Sequence, residues 1–500
     1  MRAQTVLASV ALTAPALVEA SNSTDKLLVS SIELQSLITL EDLLAGSQKL
    51  QDIADANDGN RAFGSGGHNA TVDYLYDTLN ALGYYDVIKQ PFTEVFSGGN
   101  AALSAGGVDY SPNLMTYTPR GTVSAPLVLV SDLGCAAEDF PAEVSGNVAL
   151  ILRGTCSFAE KSLNAGAAGA VGAVVYNNVE AALSGTLGTS NDAYVPTVSI
   201  SQEEGNALIA ALESGEVVAD LVVNSILENR TNYNVIAETK DGDHDNVLVL
   251  GGHSDSVEAG PGINDDGSGS IGVLNVALAL SKFTVKNSVR FAFWGAEEFG
   301  KLGSYYYIKQ LNTSEVEIAK IRAYLNFDMI ASPNYVYGIY DGDGSAFNLS
   351  GPAGSAQIEK DFEDFYTSKN TPFIASEFSG RSDYSAFIMN GIPSGGLFTG
   401  AEVIKTEEEA AQFGGEAGVA YDVNYHQAGD TMDNLAHDAY LLNTQSIANS
   451  VAKYALSFDS LPPVDLSKRM WAADRAKFTS REVHSHATHS GPCGQSGETK

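Results

Sequence analysis

Between residues 230 and 460 the chain alternates short, β-branched apolar runs with segments of helical length and periodicity. This alternation is typical of an α/β fold with a mostly parallel, twisted sheet flanked by helices. In such folds, functional side chains collect beyond the carboxyl ends of the strands. The pattern predicts strands at 246–251, 288–294, 321–326, 335–340 and 392–398, and helices at 270–282, 304–310, 356–367 and 440–456.

Two regions of different character precede this pattern. Residues 32–90 carry apolar side chains at three-to-four spacing, which predicts helices, and Gly83 ends the last of them. Between 111 and 225 charged residues become sparse, and short β-branched runs alternate with Gly and Pro. This change predicts a separate, small, β-rich α/β domain, with strands at 126–130, 148–152 and 171–175 and a helix at 159–170.

The N-terminus has the features of a secretory signal peptide: a basic Arg2, a short apolar stretch and small residues at Val18-Glu19-Ala20. A buried N-terminal helix is the alternative. We expect secretion, with delivery to the vacuole as the alternative destination, and a short propeptide after residue 20 stays open. The predicted parts are the signal peptide at 1–20, the first part of the main domain at 21–110, the small domain at 111–225, the rest of the main domain at 226–460, and a disordered polar tail at 461–500.

The net charge narrows the range of partners. Asp and Glu number 61 against 28 Lys and Arg, which gives a net charge of −33. No basic surface is available to neutralise phosphates, so we expect neither nucleic acid nor an anionic membrane surface as a partner. No stretch after the signal peptide reaches the ~18–20 apolar residues that a membrane span needs. We expect a soluble monomer.

Glycosylation sequons and cysteines agree with secretion. Of the three cysteines, Cys135 and Cys156 lie in the small domain and Cys493 lies in the tail. In an oxidising compartment we predict a disulfide between Cys135 and Cys156, and two free buried thiols are the alternative. Asn-x-Ser/Thr sequons suit a secreted glycoprotein. They lie at Asn22, Asn69, Asn229, Asn312 and Asn348.

Side chains of metal-ligand type follow the ends of the predicted strands. The strand at 246–251 runs into His253, and the strand at 288–294 runs into the pair Glu297-Glu298. Singly, such residues have ordinary explanations as a structural histidine, a solvated acid pair or a turn. Acids at strand ends beside Trp, Phe and Val need partners, so their joint placement favours a metal site. The five candidate ligands are His253, Asp265, Glu298, Asp328 and His426.

Two imidazoles and three carboxylates can hold two divalent ions if one carboxylate bridges them. Such a set without thiolate suits Zn²⁺, with Co²⁺ or Mn²⁺ as substitutes. Two ions ~3.5–4 Å apart can acidify one shared water and polarise a carbonyl oxygen. Glu297 is then the candidate proton shuttle, because neighbours at a strand end point apart. Asp255 is placed to hold the second ring nitrogen of His253.

Five short runs resemble, in order and spacing, those of the two-zinc aminopeptidases of the aminopeptidase Y and aminopeptidase S type. They are His253-Ser-Asp255, Gly262-Ile-Asn-Asp265-Asp-Gly-Ser-Gly, Glu297-Glu298, Asn326-Phe-Asp328-Met and Tyr425-His426. The resemblance is close to the fungal secreted leucine aminopeptidase branch, and residues 111–225 resemble the protease-associated domain inserted in that branch. It implies a zinc exopeptidase fold with such an insertion.

The resemblance also implies how the ligands divide. Asp265 would bridge two Zn²⁺ ions per chain. His253 and Asp328 would complete one site, and Glu298 and His426 would complete the other.

Further roles follow from the same resemblance. Glu297 would be the general base and acid, Asp255 would support a ligating imidazole, and Tyr425 would lie near the carbonyl oxygen of the substrate. The peptide bond between Asp265 and Asp266 would be cis.

The expected function is the removal of N-terminal residues, leucine and other apolar ones, from peptides with a free N-terminus. A one-zinc enzyme similar to glutaminyl cyclase and a catalytically inactive, receptor-type relative are the alternatives. The complete set of five ligands together with Glu297 favours the two-metal enzyme. The sequence has neither His-Glu-x-x-His nor Gly-x-Ser-x-Gly, which weakens a single-zinc endopeptidase and a serine hydrolase.

Overall fold

The structure of the protein, a computed structural model, describes residues 26–180 and 183–466. The predicted signal peptide, the Asn22 sequon, Cys493 and nearly all of the predicted polar tail lie outside these described residues. The helices are α1 Ser31–Ser36, α2 Leu40–Asp55, α3 Gly66–Ala81, α4 Phe158–Ala167, α5 Gln202–Ser214, α6 Gly267–Leu280, α7 Leu302–Leu311, α8 Glu315–Ala319, α9 Ser355–Ser368, α10 Tyr384–Ile388, α11 Glu407–Phe413 and α12 His437–Leu456. The strands are β1 Tyr85–Ala105, β2 Val108–Tyr110, β3 Asn113–Leu114, β4 Gly121–Leu129, β5 Val148–Leu152, β6 Gly172–Tyr176, β7 Thr197–Ile200, β8 Val218–Thr239, β9 Asp243–His253, β10 Asn287–Trp294, β11 Ile321–Phe327, β12 Gly338–Tyr340, β13 Ile374–Ser376 and β14 Ser394–Phe398.

The main domain is built on a mixed sheet whose central strands are parallel. β14, β11, β9 and β10 lie side by side in that order and run in the same direction. On the two flanks, β12 is antiparallel to β14 and β8 is antiparallel to β10. The predicted α/β fold with a mostly parallel sheet is therefore confirmed.

Helices cover both faces of the central sheet, which explains its continuous apolar runs. In β9, Leu248 and Leu250 pack in the core formed with α2, α3, α6 and α12, whereas Val247 and Val249 pack in the core that includes α7 and α10. The start of α6 lies so close to the end of β11 that a Cβ on Gly269 would stand 2.0 Å from the carbonyl oxygen of Phe327. Among the described residues, no helix combines the length and apolar character that a bilayer crossing needs.

A long antiparallel ribbon joins the main domain to the small one. Its strands β1 and β8 pair from Tyr85 opposite Thr239 to Ala105 opposite Ala219. β8 runs without interruption through the predicted boundary at residue 225 and pairs with β4, which is followed in the sheet by the parallel strands β5, β6 and β7. The predicted disulfide between Cys135 and Cys156 is present in this small domain.

Two local predictions are wrong. The helical prediction for 32–90 fails after Gly83, because β1 begins at Tyr85. Gly83 itself follows α3 with a left-handed φ of 63°, as predicted for a helix end. Pairing with β8 over the whole length of β1 decides the conformation of 85–90, and the local spacing of apolar residues does not reveal that partner. The strand predicted at 335–340 is reduced to Gly338–Tyr340.

Candidate metal centre

Three of the five candidate ligands lie where parallel strands end. His253 is the last residue of β9, Glu298 follows the end of β10 at Trp294, and Asp328 follows the end of β11 at Phe327. β10, β9 and β11 are adjacent and parallel, so their carboxyl ends meet at one edge of the sheet.

Loops bring the other two ligands to the same edge. Asp265 lies just before α6, and the neighbouring Asp266 caps that helix by accepting the N–H of Gly269 at 2.9 Å. The peptide bond between Asp265 and Asp266 is cis, as the resemblance implies. His426 lies in the loop before α12, where the ring of Tyr425 stacks on its imidazole with centroids 3.9 Å apart.

The five side chains meet as two groups of three that share Asp265. In the first group, Nε2 of His253 lies 3.1 Å from Oδ1 of Asp265 and 3.6 Å from Oδ1 of Asp328. In the second group, Nε2 of His426 lies 3.1 Å from Oδ2 of Asp265 and 3.0 Å from Oε2 of Glu298. The two oxygens of Asp265 therefore face different histidines, as a bridging carboxylate requires.

These separations fit zinc. Zn–N and Zn–O bonds of about 2.0–2.1 Å place neighbouring ligands of a tetrahedral site about 3.3 Å apart. The Oε1 atom of Glu298 is buried and has no hydrogen-bond partner among the described residues. Three carboxylates and two imidazoles held together out of water also need a cation to offset their charge. Geometry and donor chemistry therefore both suit divalent metal.

The buried groups shift one another's pKa. Burial opposes the charged imidazolium of His253, but the surrounding carboxylates outweigh burial and raise its pKa. Glu298 and Asp265 likewise raise the pKa of His426 against the effect of burial. Burial raises the pKa of Glu298 and lifts that of Glu297 well above its ordinary value. Without metal, such a cluster binds protons strongly, and a dication would replace those protons.

His253 is held by the main chain of Asp255. Its Nδ1 lies 3.2 Å from the carbonyl oxygen of Asp255, which can only accept, so Nδ1 donates and Nε2 faces Asp265. Oδ1 of Asp255 lies 3.7 Å from Nδ1 of His253, and it accepts the backbone N–H of Glu297 at 3.0 Å. Asp255 therefore contacts the second ring nitrogen of His253 through its main-chain carbonyl, and its carboxylate binds the main chain of Glu297, which follows β10.

A cavity of about 200 Å³ opens beside the two groups. Within it, Arg381 donates to the hydroxyl of Tyr425 at 3.2 Å and is itself paired with both oxygens of Glu402, at 2.7 and 3.1 Å. The Oε1 atom of Glu297 is buried without a hydrogen-bond partner among the described residues. The lining combines four of the candidate ligands and Glu297 with apolar and aromatic side chains on one hand and polar or charged ones on the other. The apolar and aromatic residues are Met329, Tyr340, Tyr384, Phe398, Ala401 and Tyr425, and the polar or charged ones are Ser376, Glu377, Ser379, Arg381 and Ser382.

Known proteins resemble this chain in sequence. Residues 234–451 match Peptidase family M28, and residues 123–208 match the PA domain. The chain is 55% identical over 462 residues to a probable leucine aminopeptidase 2 of Aspergillus fumigatus, with 92% of each chain covered. The chain belongs to peptidase family M28. A second M28 relative, leucine aminopeptidase 2 of Arthroderma otae, is 53% identical over 446 residues, which covers 89% of this chain and 90% of that protein.

Solved structures agree with the M28 assignment. The aminopeptidase from Aneurinibacillus sp. strain AM-1 matches with a TM-score of 0.68 and 28% identity, covering 87% of this chain and 97% of that one. BSAP, a zinc aminopeptidase from Bacillus subtilis, has the same fold, with a TM-score of 0.64, 24% identity and coverage of 83% and 95%. The chain is therefore a peptidase of the M28 fold with an inserted PA domain, as the sequence predicts.

Two residues that no sequence pattern identified hold candidate ligands in place. Asp430 accepts the backbone N–H of Asp265 at 3.0 Å, and Ser382 donates from Oγ to Oδ2 of Asp328 at 2.5 Å. Both lie in loops far along the chain from the ligand that each contacts. A lone Ser or Asp in a loop carries no local signal for such a role, so only the folded chain reveals them.

Proposed function

We propose that this peptidase is an aminopeptidase that holds two zinc ions per chain and removes N-terminal residues, leucine and other apolar ones, from peptides. The observation that carries the proposal is the sharing of Asp265, whose two carboxylate oxygens each lie 3.1 Å from a different histidine. The relatives named leucine aminopeptidase support the preference for leucine.

Glu297 is the proton shuttle in this proposal. Two zinc ions, when held by the five ligands, supply Lewis acidity that polarises a scissile carbonyl and acidifies water. Glu297 lines the cavity, and its buried Oε1 has no hydrogen-bond partner within the described part of the chain. Burial raises its pKa, which makes Glu297 a stronger proton acceptor than an ordinary carboxylate. In this proposal Glu297 accepts a proton from the attacking water and returns that proton to the leaving amine.

Tyr425 supplies a hydrogen-bond donor at the same cavity. Burial raises its pKa well above the ordinary value for tyrosine, so the hydroxyl keeps its proton. A neutral phenol can then donate to the substrate's carbonyl oxygen as negative charge develops there. Arg381, fixed by its bidentate pair with Glu402, holds the Tyr425 hydroxyl in position.

The lining of the cavity supports a substrate with a free amine and an apolar first side chain. Glu297 and Asp328 are the carboxylates that we propose to receive the α-ammonium group. Met329, Phe398 and Ala401 line the same cavity and offer an apolar surface to the side chain of the first residue.

We also propose that the protein is a secreted, monomeric glycoprotein, with the vacuole as the alternative destination. Cys135 and Cys156 are joined by a disulfide. Because disulfides form and persist in oxidising compartments, this bond supports secretion. The sequon asparagines within the described residues are all exposed, as glycosylation requires. They are Asn69, Asn229, Asn312 and Asn348.

Metal content and a pair of substrates test the proposal. Purified protein should contain two zinc ions per chain by mass spectrometry; one ion would indicate a site similar to that of glutaminyl cyclase, and none an inactive relative. A leucyl-peptide should be cleaved faster than its N-acetyl form by orders of magnitude, because acetylation removes the charge that a buried acid requires. o-Phenanthroline should abolish the cleavage. Comparable rates on both substrates would refute an aminopeptidase.

A further inference from the structure

Arg61 is a buried cation beside the candidate metal centre. It lies in the loop between α2 and α3, and its side chain is fully buried. Its guanidinium donates to three backbone carbonyls and forms no ion pair within the part of the chain that the structure describes. Burying a charge is costly, and here the three carbonyl acceptors offset that cost, so the position of the guanidinium is tied to these carbonyls.

The three carbonyls belong to the two segments that carry His253 and Asp265. Nη1 of Arg61 donates to the carbonyl of Ser254, which directly follows His253. Nε donates to the carbonyl of Pro261 at 2.8 Å, and Nη2 donates to that of Gly262 at 2.6 Å. The loop at 261–262 runs on to the residue that we propose as the bridging carboxylate. One planar guanidinium therefore joins the end of β9 to the loop before α6.

The main chain of Arg61 strengthens this connection. Its N–H donates to Oγ of Ser256 at 2.9 Å, and its carbonyl accepts the N–H of Ser256 at 3.2 Å. Oγ of Ser256 also donates to the carbonyl of Gly260 at 3.0 Å. The side chain and the main chain of Arg61 thus contact the same two segments.

The charge of Arg61 acts on the acids around it. Burial lowers the pKa of Arg61, and the nearby carboxylates of Asp255, Asp430, Asp266 and Asp265 oppose that effect. A guanidinium keeps its proton in proteins, so the positive charge remains. It offsets part of the repulsion among these buried carboxylates when no metal is present.

We propose that Arg61 is a positioning residue of the metal centre, which sets the spacing between His253 and Asp265. The inference rests on the two-metal function proposed above. A planar fork with several donors reaches three carbonyls at once, which a lysine ammonium on a flexible stem cannot reproduce.

The test compares Arg61→Lys with Arg290→Lys. Arg290, in β10, is a matched control, because its guanidinium is also largely buried but is paired with Glu238 of β8 and Tyr307 of α7. Metal affinity is measured on metal-free protein by titration with Co²⁺ against a competing chelator, and the visible absorption of bound Co²⁺ reports ligand geometry. We expect Arg61→Lys to weaken Co²⁺ binding by about 10- to 100-fold, the range for residues that orient metal ligands.

Further readouts separate positioning from simple structural support. Arg61→Lys should change the Co²⁺ absorption and lower kcat on leucine p-nitroanilide with KM little changed, whereas Arg290→Lys should keep wild-type Co²⁺ affinity and absorption even if its Tm falls. Wild-type Co²⁺ affinity and absorption in Arg61→Lys would overturn the proposal, and so would an equal loss of affinity in Arg290→Lys.

A second variant covers the case in which Arg61→Lys does not fold. Ser256→Ala keeps the guanidinium but removes two hydrogen bonds from the same connection, so we expect a loss of Co²⁺ affinity of about 2- to 10-fold. Unchanged affinity in this variant would overturn the proposal. The metal stoichiometry of the wild-type protein tests the proposed function separately, since the inference on Arg61 depends only on the ratio of variant to wild-type affinity.

Discussion

The carboxylate of Asp255 accepts the backbone N–H of Glu297 at 3.0 Å. The carbonyl of Asp255 meanwhile accepts a hydrogen bond from Nδ1 of His253 at 3.2 Å. Asp255, which lies just beyond the end of β9, therefore contacts both a candidate metal ligand and the proposed proton shuttle that follows β10. The main chains that carry His253 and the proposed shuttle are thus joined where two adjacent parallel strands end.

Glu297→Gln should keep both zinc ions and lose most activity. The amide preserves the shape of the side chain but cannot accept the proton of the attacking water, and loss of a general base costs about 10²- to 10⁴-fold in rate. kcat on leucine p-nitroanilide and zinc content are measured together. Glu238→Gln is the control, because it neutralises an acid that pairs with Arg290 and His244 and belongs to none of the groups of possible metal ligands among the described residues. Near-wild-type kcat in Glu297→Gln would show that another group carries the proton.

Asp265→Asn should reduce the zinc content at both positions, whereas Asp328→Asn should affect mainly one. Within residues 26–180 and 183–466, Asp265 alone places an oxygen close to each of the two histidines, at 3.1 Å in both cases. An amide keeps one oxygen but loses the charge and the second acceptor, so it cannot bridge two cations. Zinc per chain is counted by mass spectrometry after dialysis. If Asp265→Asn loses a single equivalent, Asp265 does not bridge.

Removing zinc should destabilise the fold of the main domain. The five ligands are largely buried, and without a cation their carboxylates repel one another in a low-dielectric environment. A ligand present at 100 times its Kd stabilises the native state by about 2.7 kcal/mol, so the Tm should fall after treatment with o-phenanthroline and recover on adding Zn²⁺. A Tm that is insensitive to chelator and to zinc would contradict a metal centre.

The stabilisation by zinc should grow with pH. Burial raises the pKa of Asp255 to about 7, that of Asp383 to about 7 and that of Asp430 to about 8. Between about pH 4 and 8 the metal-free native state therefore binds more protons than the unfolded chain, and its stability falls as pH rises. Zinc requires deprotonated ligands, so its affinity rises over the same range. The difference in Tm with and without zinc should widen from pH 5 to pH 8, and a constant difference would contradict this prediction.

The central strands of the main domain were accessible to prediction because they are buried on both faces. A strand of this kind is a continuous apolar run, and the predicted strands at 246–251, 288–294 and 321–326 lie within β9, β10 and β11. β1 escaped prediction because its conformation depends on pairing with β8, which lies more than a hundred residues further along the chain.

The sequence by itself determined the class of fold, the five candidate ligands and the small domain, because strand-end polar residues and the spacing of short motifs are local properties of the chain. Only the tertiary structure decided which oxygen of Asp265 faces which histidine, that Asp255 reaches His253 through its carbonyl, and that Arg61 joins the segments beside them. The physical reason is that these are contacts between atoms from distant segments. Their geometry follows from the packing of loops onto parallel strands, and no local pattern of residues encodes it.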